Sequence, residues 1–256
     1  MTATTSKGTV QSETLQGVLT ISFFHPLSNS LPRSLLSELA DCITKASSDP
    51  KNKVILLRSV GERAFCAGAS FDELMTLETE KQGSDFFSGF GEVILAIRSC
   101  PLLVICRVHG AAVGGGVGLA AAADYVLATR EASIKLSELA IGLGPFVVGP
   151  AVERKLGTSA FSALSIDSTS WKTADWALQN GLYAEVFENT EALDAGLHAL
   201  SMRLASSSEE ALKTLKRTFW EGTEHWPELL SKRAAISGKL VVGEFAQSAI
   251  SRFKRK

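Results

Sequence analysis

The sequence has little that would mark a secreted, metal-binding, nucleic-acid-binding or membrane-spanning protein. Its four cysteines, Cys42, Cys66, Cys100 and Cys106, form no CxxC pair, so neither a zinc-ribbon nor a thioredoxin-like motif is present and reduced thiols are expected. His25, His109, His198 and His225 are scattered without zinc-ligand spacing, and no metal is expected. The opening MTATTSKGTVQS holds no long apolar run; no secretory leader is expected there, and a cytoplasmic location fits the cysteines. A formal net charge of −1 gives no general field to gather phosphates, which argues against nucleic-acid partners. The basic cluster Arg252, Lys254, Arg255 and Lys256 reads as a solvated tail. The longest apolar stretch, 101–123, is broken by Arg107, His109 and five glycines, so it is not a membrane span. Internal repeats and low-complexity blocks are also missing.

What is present suits one large domain with an ample core. VLTISF, 18–23, alternates like a strand. Pro32 suits a helix start, and 34–49 places Leu35, Leu36, Leu39, Ile43 and Ala46 on one helical face. KVILLRS, 53–59, predicts a buried strand. A helix around 84–99, a strand at 102–108, a short alanine-rich helix at 117–123 and strands at 124–129 and 132–136 follow. This alternation implies an α/β layered core with right-handed crossovers. After about residue 145 the pattern is helical. The expected division is an α/β core, 1–190, and a C-terminal helical region, 191–256.

GGGVG, 114–118, demands explanation, because three consecutive glycines cost helix stability. A dinucleotide fingerprint fits poorly: the run lies far into the chain, and the next acid, Asp124, is much too close. Close helix–sheet packing explains the alanines better than the glycines. A backbone N–H at a helix N-terminus, aimed at a developing negative charge, explains the glycines. An oxyanion hole needs two such donors, and a second small-residue loop follows a strand at AFCAGAS, 64–70.

At these residues the sequence resembles the crotonase superfamily, which includes enoyl-CoA hydratases and isomerases. HPLSNSLP, AFCAGASFDEL, HGAAVGGGVGLAAAADYVLAT and SIKLSELAIGLGP carry the resemblance. It implies a crotonase-like α/β spiral of ββα units with a C-terminal helical trimerisation region, hence a homotrimer or homohexamer. It also implies an acyl-CoA thioester substrate and no separate cofactor, since CoA is part of the substrate. By the same matching, oxyanion donors come from Ala67 and Gly115. The loop Ala67, Gly68, Ala69 and Ser70 lies along the CoA moiety; Gly114 and Gly116 are bare because a Cβ would crowd the loop or the acyl chain, and Gly118 is a further substrate-binding candidate. Arg63 and Lys254 are candidates to meet CoA phosphates, and Phe146 to line the acyl pocket. Trp220, Trp226, Leu229, Leu230 and Val241 are expected to supply an apolar surface for subunit contact.

Hydratases of this family use two glutamates. One follows the glycines as GGGxE, and this chain has Gly118 there. The other corresponds to Glu138 in SELAIG. Without the resemblance, Glu138 reads as a solvated acid at a helix start; with it, as the catalytic base. Asp72, Glu73 and Glu78 read as surface charge. One base and an oxyanion hole suffice for a 1,3-proton shift. The expectation is therefore an enoyl-CoA isomerase, with an enoyl-CoA hydratase of remodelled water site and a catalytically weak acyl-CoA-binding paralogue as alternatives.

Overall fold

A computed structural model describes residues 8–254. Strands β1 (Thr9–Leu15) and β2 (Val18–Phe24) pair antiparallel. From β2 a parallel ladder runs through β3 (Val54–Ser59), β5 (Leu103–Val108), β7 (Tyr125–Thr129) and β10 (Glu185–Phe187). A second sheet holds β4 (Ala64–Cys66), β6 (Ala111–Val113), β8 (Ser133–Lys135) and β9 (Lys172–Thr173), in that order. The chain alternates between the sheets: β3 then β4, β5 then β6, β7 then β8. Helices α2 (Phe71–Leu74) and α3 (Glu80–Ser99) follow the first pair and α4 (Gly115–Ala122) the second. That is the spiral of ββα units expected from the motifs.

Local chemistry explains these elements. Helix α1 (Arg33–Ala46) starts after Pro32 and buries Leu35, Leu36, Leu39 and Ile43. Helix α3 begins with a reciprocal capping box between Thr79 and Gln82. Strand β5 is buried at all six positions, as a central parallel strand should be; its Arg107 is held by both carboxylate oxygens of Asp194 at 2.5 and 3.1 Å. Helix α4 is buried throughout, which only a run of glycine, alanine and small apolar residues allows.

Helices α5 (Gly149–Ile166), α6 (Ala174–Gln179), α7 (Thr190–Ala205), α8 (Glu209–Phe219), α9 (Trp226–Val241) and α10 (Glu244–Lys254) complete the chain. Helix α7 covers one face of the larger sheet, through Leu193 and Leu197 against Val54, Ile105 and Leu127. Helix α8 adds Leu212 to that cluster, while α5, α6, α9 and α10 bury their apolar residues in the main core. Trp220, Trp226, Leu230 and Val241 are 5% exposed or less and belong to that core; Leu229 is half-buried against it. These residues therefore do not form the external apolar surface expected of them. They are spent inside the chain, while Leu215, Phe219, Ile236, Leu240 and Phe245 are exposed large apolar side chains on α8, α9 and α10. Buried Asp124 ties the tail down. Its carboxylate accepts from Val104 N at 2.7 Å, Lys216 Nζ at 2.6 Å and Trp220 Nε1 at 2.8 Å. No helix among the described residues is long and apolar enough to cross a membrane.

Candidate active site

Three short parallel strands assemble the site. Strand β4 pairs with β6, and β6 with β8, so their C-terminal ends reach one rim. The residues just beyond them are the Ala67–Ser70 loop, Gly114–Gly115 and Ser137–Glu138. Contacts across the rim are tight. Gly114 N donates to Lys135 O at 2.8 Å. A Cβ on Gly68 would lie 2.7 Å from Val113 O and 3.4 Å from Gly115 N. The motifs separated in sequence thus meet at backbone contact distance.

A cavity of about 60 Å³ opens between them. Ala67, Gly68, Ala69, Gly114, Gly115 and Glu138 line one side; Phe87, Phe90, Phe146, Val147 and Val148 line the apolar remainder, with Ser237 reaching in from α9. Glu138 is the one ionisable side chain in this lining among the described residues. It opens a 3-10 turn, Glu138–Ile141. Part of the residue is exposed, yet its carboxylate atom Oε2 is buried without a hydrogen-bond partner among the described residues. Burial pushes the carboxyl up from 4.5 to about 7, opposed by a weaker hydrogen bond from its own backbone. An acid held near neutrality in an apolar cleft is a candidate proton carrier.

Gly114 makes this placement possible. Its φ is +52°, a conformation that favours glycine, and a Cβ there would meet Glu138 Oε1 at 2.9 Å. The carboxylate therefore lies directly against the glycine backbone. At Gly115 a Cβ would strike the Phe90 ring at 2.1 Å, and at Gly116 the Cys66 carbonyl oxygen at 2.4 Å.

The backbone donors differ from the sequence expectation. Ala67 N–H donates to Ser28 O at 3.0 Å and is already committed. Ala69 is the free one. Leu31 and Ala69 form a parallel bridge, in which Leu31 N donates to Gly68 O at 2.8 Å and Leu31 O accepts from Ser70 N at 3.2 Å. In a parallel bridge the residue between those two partners turns its own N–H to the opposite side. Ala69 N–H has no partner among the described residues. Gly115, the first residue of α4, likewise has no intrahelical acceptor. Ala69 and Gly115 thus line the cavity with amides that have no partner among the described residues, whereas the amide of Ala67, the expected donor, is committed to Ser28 O.

The remaining predicted residues divide. Phe146 lines the cavity. Ser70 is buried as the N-cap of α2, accepting from Glu73 N, and does not line it. Gly118 lies beneath the wall: a Cβ there would be 2.3 Å from Val148 Cγ1, so Val148 rather than Gly118 faces the cavity. Arg63 is exposed at the opposite end of β4 from Ala67 and does not line the cavity. Lys254 closes α10, its side chain lying outside the described residues, as do Arg255 and Lys256. Glu73 Oε2 accepts from Arg33 N at 2.7 Å, away from the cavity. Cys66 is buried and its thiol is pushed up to about 12 by desolvation, so it is a neutral packing group. His109 lies before β6, buried and pushed down to about 4, first by burial and then by Arg107 and Arg58. Sequence reasoning missed Val148 and Ser237. Val148 had one signal, its position two residues after Phe146 in GPFVVGP.

The chain is similar to known proteins over most of its length. A probable enoyl-CoA hydratase of Bacillus subtilis is 30% identical over 94% of this chain and 93% of its own length. The mouse mitochondrial Delta(3,5)-Delta(2,4)-dienoyl-CoA isomerase is 25% identical over 77% of this chain and 63% of its own. The crystal structure of an enoyl-CoA hydratase from Bacillus halodurans matches in fold with a TM-score of 0.87 at 20% identity, over 95% of this chain and 99% of that one. The family model for enoyl-CoA hydratase/isomerase matches residues 13–249. With its rim of glycine-bound amides and a buried carboxyl in place, and that match running through both sheets and the helical tail, this chain belongs to the enoyl-CoA hydratase/isomerase family.

Proposed function

We propose that the chain is an enoyl-CoA isomerase, which moves the double bond of a 3-enoyl thioester to C2. One observation carries this reading: Glu138 is the sole ionisable side chain lining the cavity among the described residues. In this reading the thioester oxygen sits between the N–H groups of Ala69 and Gly115. Glu138 takes a proton from C2, the electron pair passes to the thioester oxygen as a dienolate, and the same carboxyl returns the proton to C4. No atom is gained or lost. A carboxyl held at about 7 suits both halves of this exchange at neutral pH, because neither protonation state is strongly favoured. Each amide that hydrogen-bonds the dienolate oxygen contributes about 3 kcal/mol of transition-state stabilisation.

The mouse relative's name supports proton-transfer chemistry on this scaffold. A hydratase is the second reading, favoured by the name of the Bacillus subtilis relative. A homotrimer or homohexamer in the cytoplasm belongs to the same proposal; the apolar Leu215, Phe219, Ile236, Leu240 and Phe245 left exposed on the C-terminal helices support the assembly. The test is to incubate the protein separately with 3-enoyl-CoAs and with crotonyl-CoA and weigh the products. Conversion of the first to 2-enoyl-CoA, with slow or no hydration of the second, is expected. Comparable hydration of crotonyl-CoA would refute the isomerase reading, and turnover of neither would refute an enzyme of this class.

A further inference from the structure

Isomerisation creates a selectivity problem. Its product, a 2-enoyl thioester, is itself the substrate of hydration: water oxygen can bond to C3 while C2 takes the proton. An isomerase must release that product before water adds. Water held for attack needs two or more polar partners. The wall formed where α4 meets α5 offers none at Val148.

We propose that Val148 is the specificity-determining residue, excluding a nucleophilic water from C3 and so fixing proton transfer over hydration. The inference rests on the isomerase reading above. Val148 is 5% exposed and lines the same cavity as Glu138 and Gly115. Its side chain is pressed onto bare backbone: a Cβ at Gly118 would lie 2.3 Å from Val148 Cγ1 and 2.5 Å from Val148 Cβ. The valine cannot step aside cheaply, because its backbone is fixed on both sides. Gly149 N donates to Pro145 O at 2.7 Å and Val152 N to Val148 O at 3.1 Å. Gly118 and Val148 therefore act as one pair. The absent side chain at position 118 makes room for the valine, and the valine in turn removes the place where a carboxylate from position 118 or a water would stand. Glycine at 118 is more than the loss of a second acid; it is what lets an apolar plug fill the space.

The experiment compares wild type with Val148→Ala and Val148→Thr, both checked by circular dichroism. Each enzyme receives a 3-enoyl-CoA and, separately, crotonyl-CoA in heavy-oxygen water, and mass spectrometry gives the ratio of labelled 3-hydroxyacyl-CoA to 2-enoyl-CoA. Val148→Ala should raise the hydration-to-isomerisation ratio by about tenfold or more, the order that one or two methyl groups control in an apolar pocket. Val148→Thr disturbs the packing less and introduces a hydroxyl anchor for water; it should shift the ratio in the same direction. If wild type only isomerises and either folded variant leaves the ratio unchanged, the role of Val148 is overturned while the isomerase reading stands. If wild type itself hydrates crotonyl-CoA as fast as it isomerises, the reading beneath the proposal falls, and the proposal with it.

Discussion

Glu138→Gln removes a titrating charge and keeps the shape of the side chain, so its effect on stability can be worked from one group. The folded chain holds this carboxyl at about 7 against an ordinary 4.5. At about 1.4 kcal/mol for each tenfold change in proton affinity, that rise corresponds to about 3 kcal/mol. The sign follows from proton binding. Below the unfolded value the carboxyl is neutral in both states and costs nothing. As pH rises from 4.5 towards 7 the unfolded chain releases a proton that the folded chain keeps, and wild type loses stability. Above the folded value both states are ionised and the loss is complete. Glutamine has no proton to release. The stability of Glu138→Gln relative to wild type should therefore rise by about 3 kcal/mol between about pH 4 and about pH 8.

Urea unfolding followed by tryptophan fluorescence over that pH range measures the difference, and subtraction cancels the other titrating groups. A difference that stays flat with pH would refute the desolvated carboxyl. Kinetics provide an independent reading of the same group. The base must be ionised to take a proton, so kcat/KM of wild type should climb with pH and level off above about 7. The variant should lose about a hundredfold or more at the plateau while still binding CoA thioesters.

The open amide and the committed one can be separated by proline, which deletes an N–H. Ala67→Pro breaks the hydrogen bond to Ser28 O and should lower the melting temperature. Ala69→Pro should instead lower kcat, by about 10²-fold or more, with a smaller effect on melting; equal kcat losses from the two would contradict Ala69 as the proposed donor. Asp124→Ala leaves the buried Lys216 ammonium, 2% exposed, without its carboxylate, and should cost about 3–5 kcal/mol in urea unfolding. A loss under about 1 kcal/mol would mean that the pair is solvated.

Much of the fold was legible in sequence because long apolar periods survive any context. The helix expected at 34–49 spans Arg33–Ala46, and the strands expected at 53–59 and 102–108 span Val54–Ser59 and Leu103–Val108. The second sheet was not legible as a sheet. Strand β8 (Ser133–Lys135) falls within the strand expected at 132–136, but β4 and β6 have three residues each and β9 has two, too few to show an alternation. Yet these are the strands that bring the rim of the candidate site together. The tail failed for another reason: apolar content cannot distinguish a residue that faces another subunit from one that faces its own core. Trp220 and Trp226 stack edge to face on each other, with ring centroids 5.6 Å apart, inside the chain.

The glycine run shows what sequence conveys and what it withholds. Bare backbone at 114–118 announces close approach, but the approaching groups are all different: the Glu138 carboxylate at Gly114, the Phe90 ring at Gly115, the Cys66 carbonyl at Gly116 and the Val148 side chain at Gly118. Only a folded chain can assign them. The Ala67–Ser70 loop makes the same point more sharply. Ala67-Gly68-Ala69 reads identically in both directions, so composition cannot choose between its alanines. Gly68 chooses, because its φ of +87° turns the chain between them in a conformation glycine adopts readily. On one side of that turn the alanine N–H closes onto Ser28; on the other, the parallel bridge to Leu31 leaves the alanine N–H facing the cavity. Which of two equal candidates keeps its amide open is thus set by a dihedral at the residue between them. Substituting Gly68 would disturb the open amide of Gly115 too, since a side chain there would press on Val113 O and Gly115 N together.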